Sequence, residues 1–114
     1  PWRNEGTKIM KKIYQKLVRD RIPGIIADDG KSFGSHAAKD DEIMSYAFKK
    51  LREEVQEFIE DPSAEEAGDI MEIFHFLCDK LELRDSTIMA ATTSKRITHG
   101  GFERGIILEW VEEK

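Results

Sequence analysis

Residues 50–69 read KLREEVQEFIEDPSAEEAGD, and both the fold and the chemistry turn on this stretch. Asp61-Pro62 interrupts two runs of helical spacing, so the reading is helix, tight turn, helix. Two carboxylate pairs flank the turn, Glu54 and Glu57 before it and Glu66 and Asp69 after it. Within each pair the spacing is i, i+3, which on a helix puts both members on one face. Counted from the point between Asp61 and Pro62, Glu57 and Glu66 are equidistant, and so are Glu54 and Asp69. Antiparallel helices would bring the pairs level, roughly 7 and 11 Å above the turn at about 1.5 Å per residue. Like charges this close repel, and burying them is costly without a positive partner. A divalent cation is the expected partner.

Outward from the turn, the first long helix is predicted over about 40–60, with Asp40 or Asp41 as N-cap. Its apolar positions Met44, Phe48, Leu51, Val55, Phe58 and Ile59 form one stripe. Glu54 falls on the border of that stripe and Glu57 further round. Glu53 points nearly opposite and is expected in solvent unless the helix is covered on both sides. The second long helix is predicted over about 63–82, opened by a capping box of Ser63 and Glu66. Glu66 also projects into the stripe of Ala67, Ile70, Ile73, Phe74, Leu77 and Leu81, with Asp69 at its edge. Gly68 lies inside this helix, where it costs about 1 kcal/mol relative to Ala, so a close approach to its backbone is expected. Phe74 and Phe76 face different ways, so the helix is apolar nearly all round. Burial between its own chain and a second copy is the expectation. Glu72 reads either as solvated or as a further ligand, and His75 as a core or interface residue.

Nearer the N-terminus, residues 14–26 read YQKLVRDRIPGII. Pro23 disfavours helix at Ile22, so the chain is expected extended to that point, with a short helix then stopping at Gly30. Lys16, Arg19 and Arg21 form either a solvated charge run or a phosphate-contacting arm, since Arg matches phosphate oxygens bidentately. Residues 31–38 read as a loop or short strand, with His36 exposed and incidental. Asp85 is the expected N-cap of a third helix to about Thr98, and Gly100 its stop. Residues 95–104, KRITHGGFER, gather Lys95, Arg96, His99 and Arg104 around a glycine pair. Cations there suit the helix dipole, and the glycines would also admit a phosphate. The apolar, β-branched GIILEWV at 105–111 reads as a strand, with 31–38 its natural mate. The predicted fold is mainly α: an antiparallel bundle with a minor short β-strand pair, completed by dimerisation.

Composition sets the outer limits. At 114 residues and 13.1 kDa the chain suits one small domain, placed at 14–114 behind a flexible extension at 1–13. Met10 would be a native start if residues 1–9 are an extension or tag remnant. A net charge of -5 argues against broad nucleic-acid binding, but a metal can still bridge acid to phosphate. The single Cys78 cannot form an intrachain disulfide, which fits a cytoplasmic protein; its apolar helical setting marks it as a buried structural thiol. No apolar run is long enough to span a bilayer.

The pattern Glu54-x-x-Glu57 followed by Glu66-x-x-Asp69 resembles the paired acidic motifs of the MazG-like all-α nucleoside triphosphate pyrophosphohydrolases, a superfamily that includes phosphoribosyl-ATP pyrophosphatase. Lys50-Leu51-x-Glu53-Glu54-x-x-Glu57 resembles the first helix of that group. KLVRDRIP at 16–23 and Gly100-Gly101-Phe102 are similar to the terminal signatures of its phosphoribosyl-ATP pyrophosphohydrolase-like branch. The gap between the acidic motifs, Phe58 to Glu65, is shorter than in most of the superfamily, but the symmetric turn can still align the pairs. The resemblance implies Mg²⁺-dependent (or Mn²⁺-dependent) cleavage of a nucleoside triphosphate between its α and β phosphates. It implies Glu54, Glu57, Glu66 and Asp69 as metal ligands and Glu53 or Glu54 as base. Lys16, Arg19, Arg21, Lys95 and Arg96 become phosphate contacts, meeting across a homodimer or homotetramer. Phosphoribosyl-ATP is the alternative substrate, and a non-enzymatic helical dimerisation protein is the alternative of another class.

Overall fold

Four α-helices form among residues 10–114, the part of the chain that the structure, a computed structural model, describes: α1 (Ile22–Asp28), α2 (Ile43–Glu60), α3 (Ala64–Lys80) and α4 (Asp85–His99). Of the extension expected at 1–13, residues 1–9 lie outside the described residues, and residues 10–13 are exposed and have no regular secondary structure. The chain divides into two compact units, one ending at Leu77 and one running from Cys78 to Lys114. No helix among the described residues is long and apolar enough to cross a membrane.

In the first unit, α1 begins at Ile22 and not after it. Pro23 falls in the first turn, where its missing N–H has no acceptor to lose and its fixed φ suits the helix. Gly30, at φ 77°, closes the other end, donating its N–H to the Ala27 carbonyl at 2.9 Å. That conformation suits a residue without Cβ.

The start of α2 corrects the expected cap at Asp40 or Asp41. The N-cap position is Glu42, because the Glu42 carboxylate reaches back to the Lys39 N–H at 3.1 Å and to His36 Nε2 at 2.7 Å. The Lys39 carbonyl accepts the N–H groups of Glu42 and Ile43, both at 3.0 Å. Residues 40–42 are thereby spent in a turn. His36 is exposed but is no bystander, since it helps to fix this turn.

The buried side of α2 is also rotated from the expected stripe. Ala47 is fully buried and packs with Ile73 and Leu77 of α3, flanked by Met44, Leu51, Phe76 and Leu17. Phe48, Val55 and Ile59, predicted to be core, are exposed. The small Ala47 lets the helices approach, and α2 turns so that Glu54, one turn on from Leu51, faces inward with it. The cost of burying that carboxylate is met at the site described below.

The turn between α2 and α3 has the expected form. Asp61 ends α2, its N–H bonded to the Glu57 carbonyl at 2.9 Å. The Ser63 Oγ then accepts the Glu66 N–H at 3.2 Å, capping a donor at the start of α3 that has no helical partner. Gly68 does not show the expected close approach: a Cβ there would meet nothing within 4 Å among the described residues.

In the second unit, α3 closes with the Leu83 N–H on the Cys78 carbonyl at 2.8 Å and Glu82 at φ 58°, a Schellman-type ending. Cys78 is buried, as a structural thiol should be. Asp85, expected as the N-cap of α4, is instead its first helical residue, with Arg84 at the cap. There its charge still complements the helix dipole. Gly100, at φ 85°, ends α4 with its N–H on the Arg96 carbonyl at 2.8 Å.

The strand pair expected at 31–38 and 105–111 does not form: neither segment is strand, and no strand occurs among the described residues. Residues 31–37 have no continuous apolar face to bury. The tail has the right residue types, but Ile106, Leu108 and Trp110 remain 70–76% exposed. A strand without a ladder partner leaves its backbone groups to water.

Candidate metal and phosphate site

The acidic residues converge where α2 and α3 run past one another above the Asp61–Ser63 turn, all within the first unit. One carboxylate oxygen from each of Glu54, Glu66 and Asp69 lies within 4.8 Å of the other two, and the same holds for Glu53, Glu54 and Glu57. Glu54 belongs to both groups and is their buried member, 6% exposed.

Local helix geometry explains the grouping. Glu53, Glu54 and Glu57 occupy successive positions on one side of α2, and Glu66 and Asp69 stand three apart on α3. The short turn sets the register between them. Glu54 and Asp69, equidistant from the turn, bring an oxygen each within 4.8 Å of one another, whereas Glu57 and Glu66, the other equidistant pair, fall in different groups. Glu72, one turn beyond Asp69, is exposed and outside both groups; its carboxylate lies 3.9 Å from Arg19 Nη1.

Positive charge enters from two directions. Lys50, one turn before Glu54, places Nζ 3.0 Å from Glu53 Oε1 and 3.1 Å from Glu54 Oε1. The segment leading into α1 supplies more. Lys16 Nζ lies 3.1 Å from Glu53 Oε1, and Arg19 Nη2 lies 2.8 Å from Asp69 Oδ1. Glu53, expected in solvent, is therefore covered, because α2 is flanked on its second side by this N-terminal segment. Arg21, also expected at the site, is the N-cap residue of α1 and is exposed.

These cations do not satisfy the cluster. Glu54 Oε2 and Glu66 Oε2 are shut off from solvent and have no hydrogen-bond partner among the described residues. Buried carboxylate oxygens rarely remain so. The capping box explains the Glu66 backbone, whose N–H goes to Ser63, but leaves that carboxylate oxygen unaccounted for. A hard divalent cation, which takes oxygen ligands and neutralises several carboxylates at once, fits this donor set.

The titration behaviour follows the same geometry. The Glu57 carboxyl is pushed up, first by its hydrogen bond with Glu54 and then by the Glu54 charge. Glu66 is pushed up by burial and then by the charges of Asp69 and Glu54. Burial works to raise Glu53, but its bonds to Lys50 and Lys16 prevail and hold it low. Burial works to lower Lys50, yet Glu53 and Glu54 raise it.

Lys95 and Arg96 lie on α4, in the second unit. The Arg96 guanidinium is bound to the Glu103 carboxylate, and both side chains occupy the space where a Cβ on Gly101 would stand. Gly101 thus makes room for an ion pair of its own chain. That ion pair, with Arg96 as a cation near the end of α4, suits the helix dipole.

Comparison with protein-family models, curated proteins and solved structures gives no match.

Proposed function

We propose that the chain is a metal-dependent nucleotide pyrophosphohydrolase, hydrolysing a (deoxy)nucleoside triphosphate between the α and β phosphates to a monophosphate and pyrophosphate. The observation that carries this reading is the pair of buried oxygens on Glu54 and Glu66, without a hydrogen-bond partner among the described residues, inside a five-carboxylate cluster, with Lys and Arg at its rim. A structural ion-pair network would satisfy its own buried oxygens. A site built for a cation and a polyphosphate has a reason to leave them for a ligand. The resemblance of the acidic motifs to the MazG-like pyrophosphohydrolases supports the same assignment.

Glu54, Glu57, Glu66 and Asp69 would hold Mg²⁺ or Mn²⁺. When bound, the cation supplies charge neutralisation for the phosphate oxygens. Glu53 and Glu54 are the residues assigned to take a proton from the attacking water. Lys50 and Lys16 keep Glu53 ionised, as a proton acceptor must be, and fix its orientation. Arg19 and Lys16 would meet the substrate's phosphates. Arg21, Lys95 and Arg96 stay in the proposal as phosphate contacts, in the last two cases through a second copy of the chain.

The direct test is pyrophosphate release from a panel of nucleoside triphosphates and phosphoribosyl-ATP with Mg²⁺ or Mn²⁺. Release that needs the cation is expected. No release from any nucleotide would refute the assignment.

A homodimer belongs to the same proposal. Phe48, Val55 and Ile59 on α2 and Met71 and Phe74 on α3 are 39–72% exposed, an apolar surface that association would cover. Light scattering at micromolar concentration is expected to give twice the chain mass, and a stable monomer would remove the dimer from the reading.

A further inference from the structure

The segment bearing Lys16 and Arg19 is tied down and poised at once. Leu17 packs against the Ala47, Ile73 and Leu77 core. Gln15, just before, sits at φ 46°, a strained conformation for a residue with a Cβ. The backbone is thereby held, while the flanking side chains reach the acids: Lys16 to Glu53 and Arg19 to Asp69. Asp69 is also one of the three carboxylates whose oxygens converge with Glu54 and Glu66. Its Oδ1 cannot serve a guanidinium at 2.8 Å and a divalent cation equally well.

We propose that Arg19 is an exchange residue: it holds Asp69 until a cation claims that carboxylate, and then transfers to the phosphates that arrive with the cation. The inference rests on the metal-site reading above and goes beyond it, because it makes cation uptake and polyphosphate binding depend on one another. Three features favour exchange over a fixed ion pair. The Arg19 side chain is 56% exposed, and exposed pairs contribute little, so giving up Asp69 costs little. Its second nitrogen, Nη1, is only loosely engaged, 3.9 Å from Glu72. A phosphate offers the guanidinium two oxygens in matching geometry, a better partner than the one it leaves. Two ligands that each favour the same arrangement of one residue bind with reciprocal coupling.

The test uses the full chain, with Mn²⁺ alone and then inorganic pyrophosphate in the presence of Mn²⁺, each followed by calorimetry. Arg19→Gln removes the competitor for Asp69 and a repelling charge. Mn²⁺ alone is expected to bind about three- to tenfold more tightly. Pyrophosphate in saturating Mn²⁺ is expected to bind at least about tenfold more weakly. Arg19→Lys should restore Mn²⁺ affinity to near the parent value but pyrophosphate affinity only in part, because an ammonium keeps the charge and loses the fork. A parent protein that binds no Mn²⁺ would overturn the metal-site reading and this inference with it. A parent that binds Mn²⁺, with Arg19→Gln binding it no more tightly, would overturn the exchange alone. So would tighter Mn²⁺ binding with unchanged pyrophosphate affinity, since Arg19 would then merely compete with the cation.

Discussion

Glu66→Gln is expected to abolish metal-dependent hydrolysis, by at least about a hundredfold, while leaving the metal-free protein equally stable or more stable. The helix cap does not distinguish the two side chains, because Ser63 Oγ accepts the backbone N–H of residue 66. What changes is the cluster. Burial and the charges of Asp69, Glu54, Glu65 and Asp61 all work against an ionised Glu66, and an amide relieves that repulsion. Melting without metal should therefore hold or rise, and the increment added by Mg²⁺ should shrink. The pH dependence tells the same story. A carboxyl raised in the folded state binds its proton more tightly there, so the fold gains stability as pH falls through that raised value. Glu57 and Glu66 both act in this direction. Glu42, Glu53 and Glu103 are lowered, so the stability they add is lost only further into acid. The metal-free protein should melt higher as pH falls from neutrality toward the ordinary carboxylate range, and Glu66→Gln should flatten that rise. Near-normal Mg²⁺ binding and turnover in this variant would show that Glu66 is no ligand.

Lys50→Met should act with the opposite sign. Among the described residues its ammonium is the one positive group that touches both Glu53 and Glu54, and its side chain is only 17% exposed. Met keeps the aliphatic length and deletes the charge. Glu54, already carrying one unpartnered oxygen, would then have neither oxygen paired with Lys50. Removing one partner of a buried pair costs about 3–5 kcal/mol and of an exposed pair under about 1. At this depth about 2 kcal/mol is the expected loss, read from urea unfolding without metal. Mg²⁺ should recover much of it, so the metal-induced rise in Tm should exceed that of the parent protein. An equal loss with and without Mg²⁺ would mean that Lys50 is structural and unrelated to the cation site. Set side by side, the two variants separate a charge that the cluster can spare from one that it needs.

The acids and their helices were legible in the sequence because both depend on neighbours a few residues away. Spacing placed Glu54, Glu57, Glu66 and Asp69 on facing sides of one turn, and Asp61-Pro62-Ser63 supplied that turn. What escaped the reading depends on distant parts of the chain. Ala47 belongs to no apolar stripe, yet it is fully buried against Ile73 and Leu77, with Phe48, Val55 and Ile59 facing outward. Glu53 looked solvated because nothing in its own helix indicates that Lys16, 37 residues away, covers it. Residues 105–111 have the β-branched types of a strand, but the segment has no ladder partner among the described residues. The cap at Glu42 was hidden by His36 and Lys39, whose contacts exist only once the turn at 40–42 has formed.

The brevity of the Asp61–Ser63 turn also bears on how the protein folds. From Glu54 to Asp69 the site is contiguous in sequence and closes through a loop of a few residues, so little chain entropy opposes its assembly. Contacts this local form early. The unfavourable partners are then brought together at the start of the route, and the chain meets the repulsion among its carboxylates before the Ala47–Leu77 core is available to offset it. Any cation that neutralises these acids would therefore act on the folding barrier as well as on the finished cluster, and the hairpin that gathers the carboxylates is where self-assembly of the chain is most sensitive to its ionic surroundings.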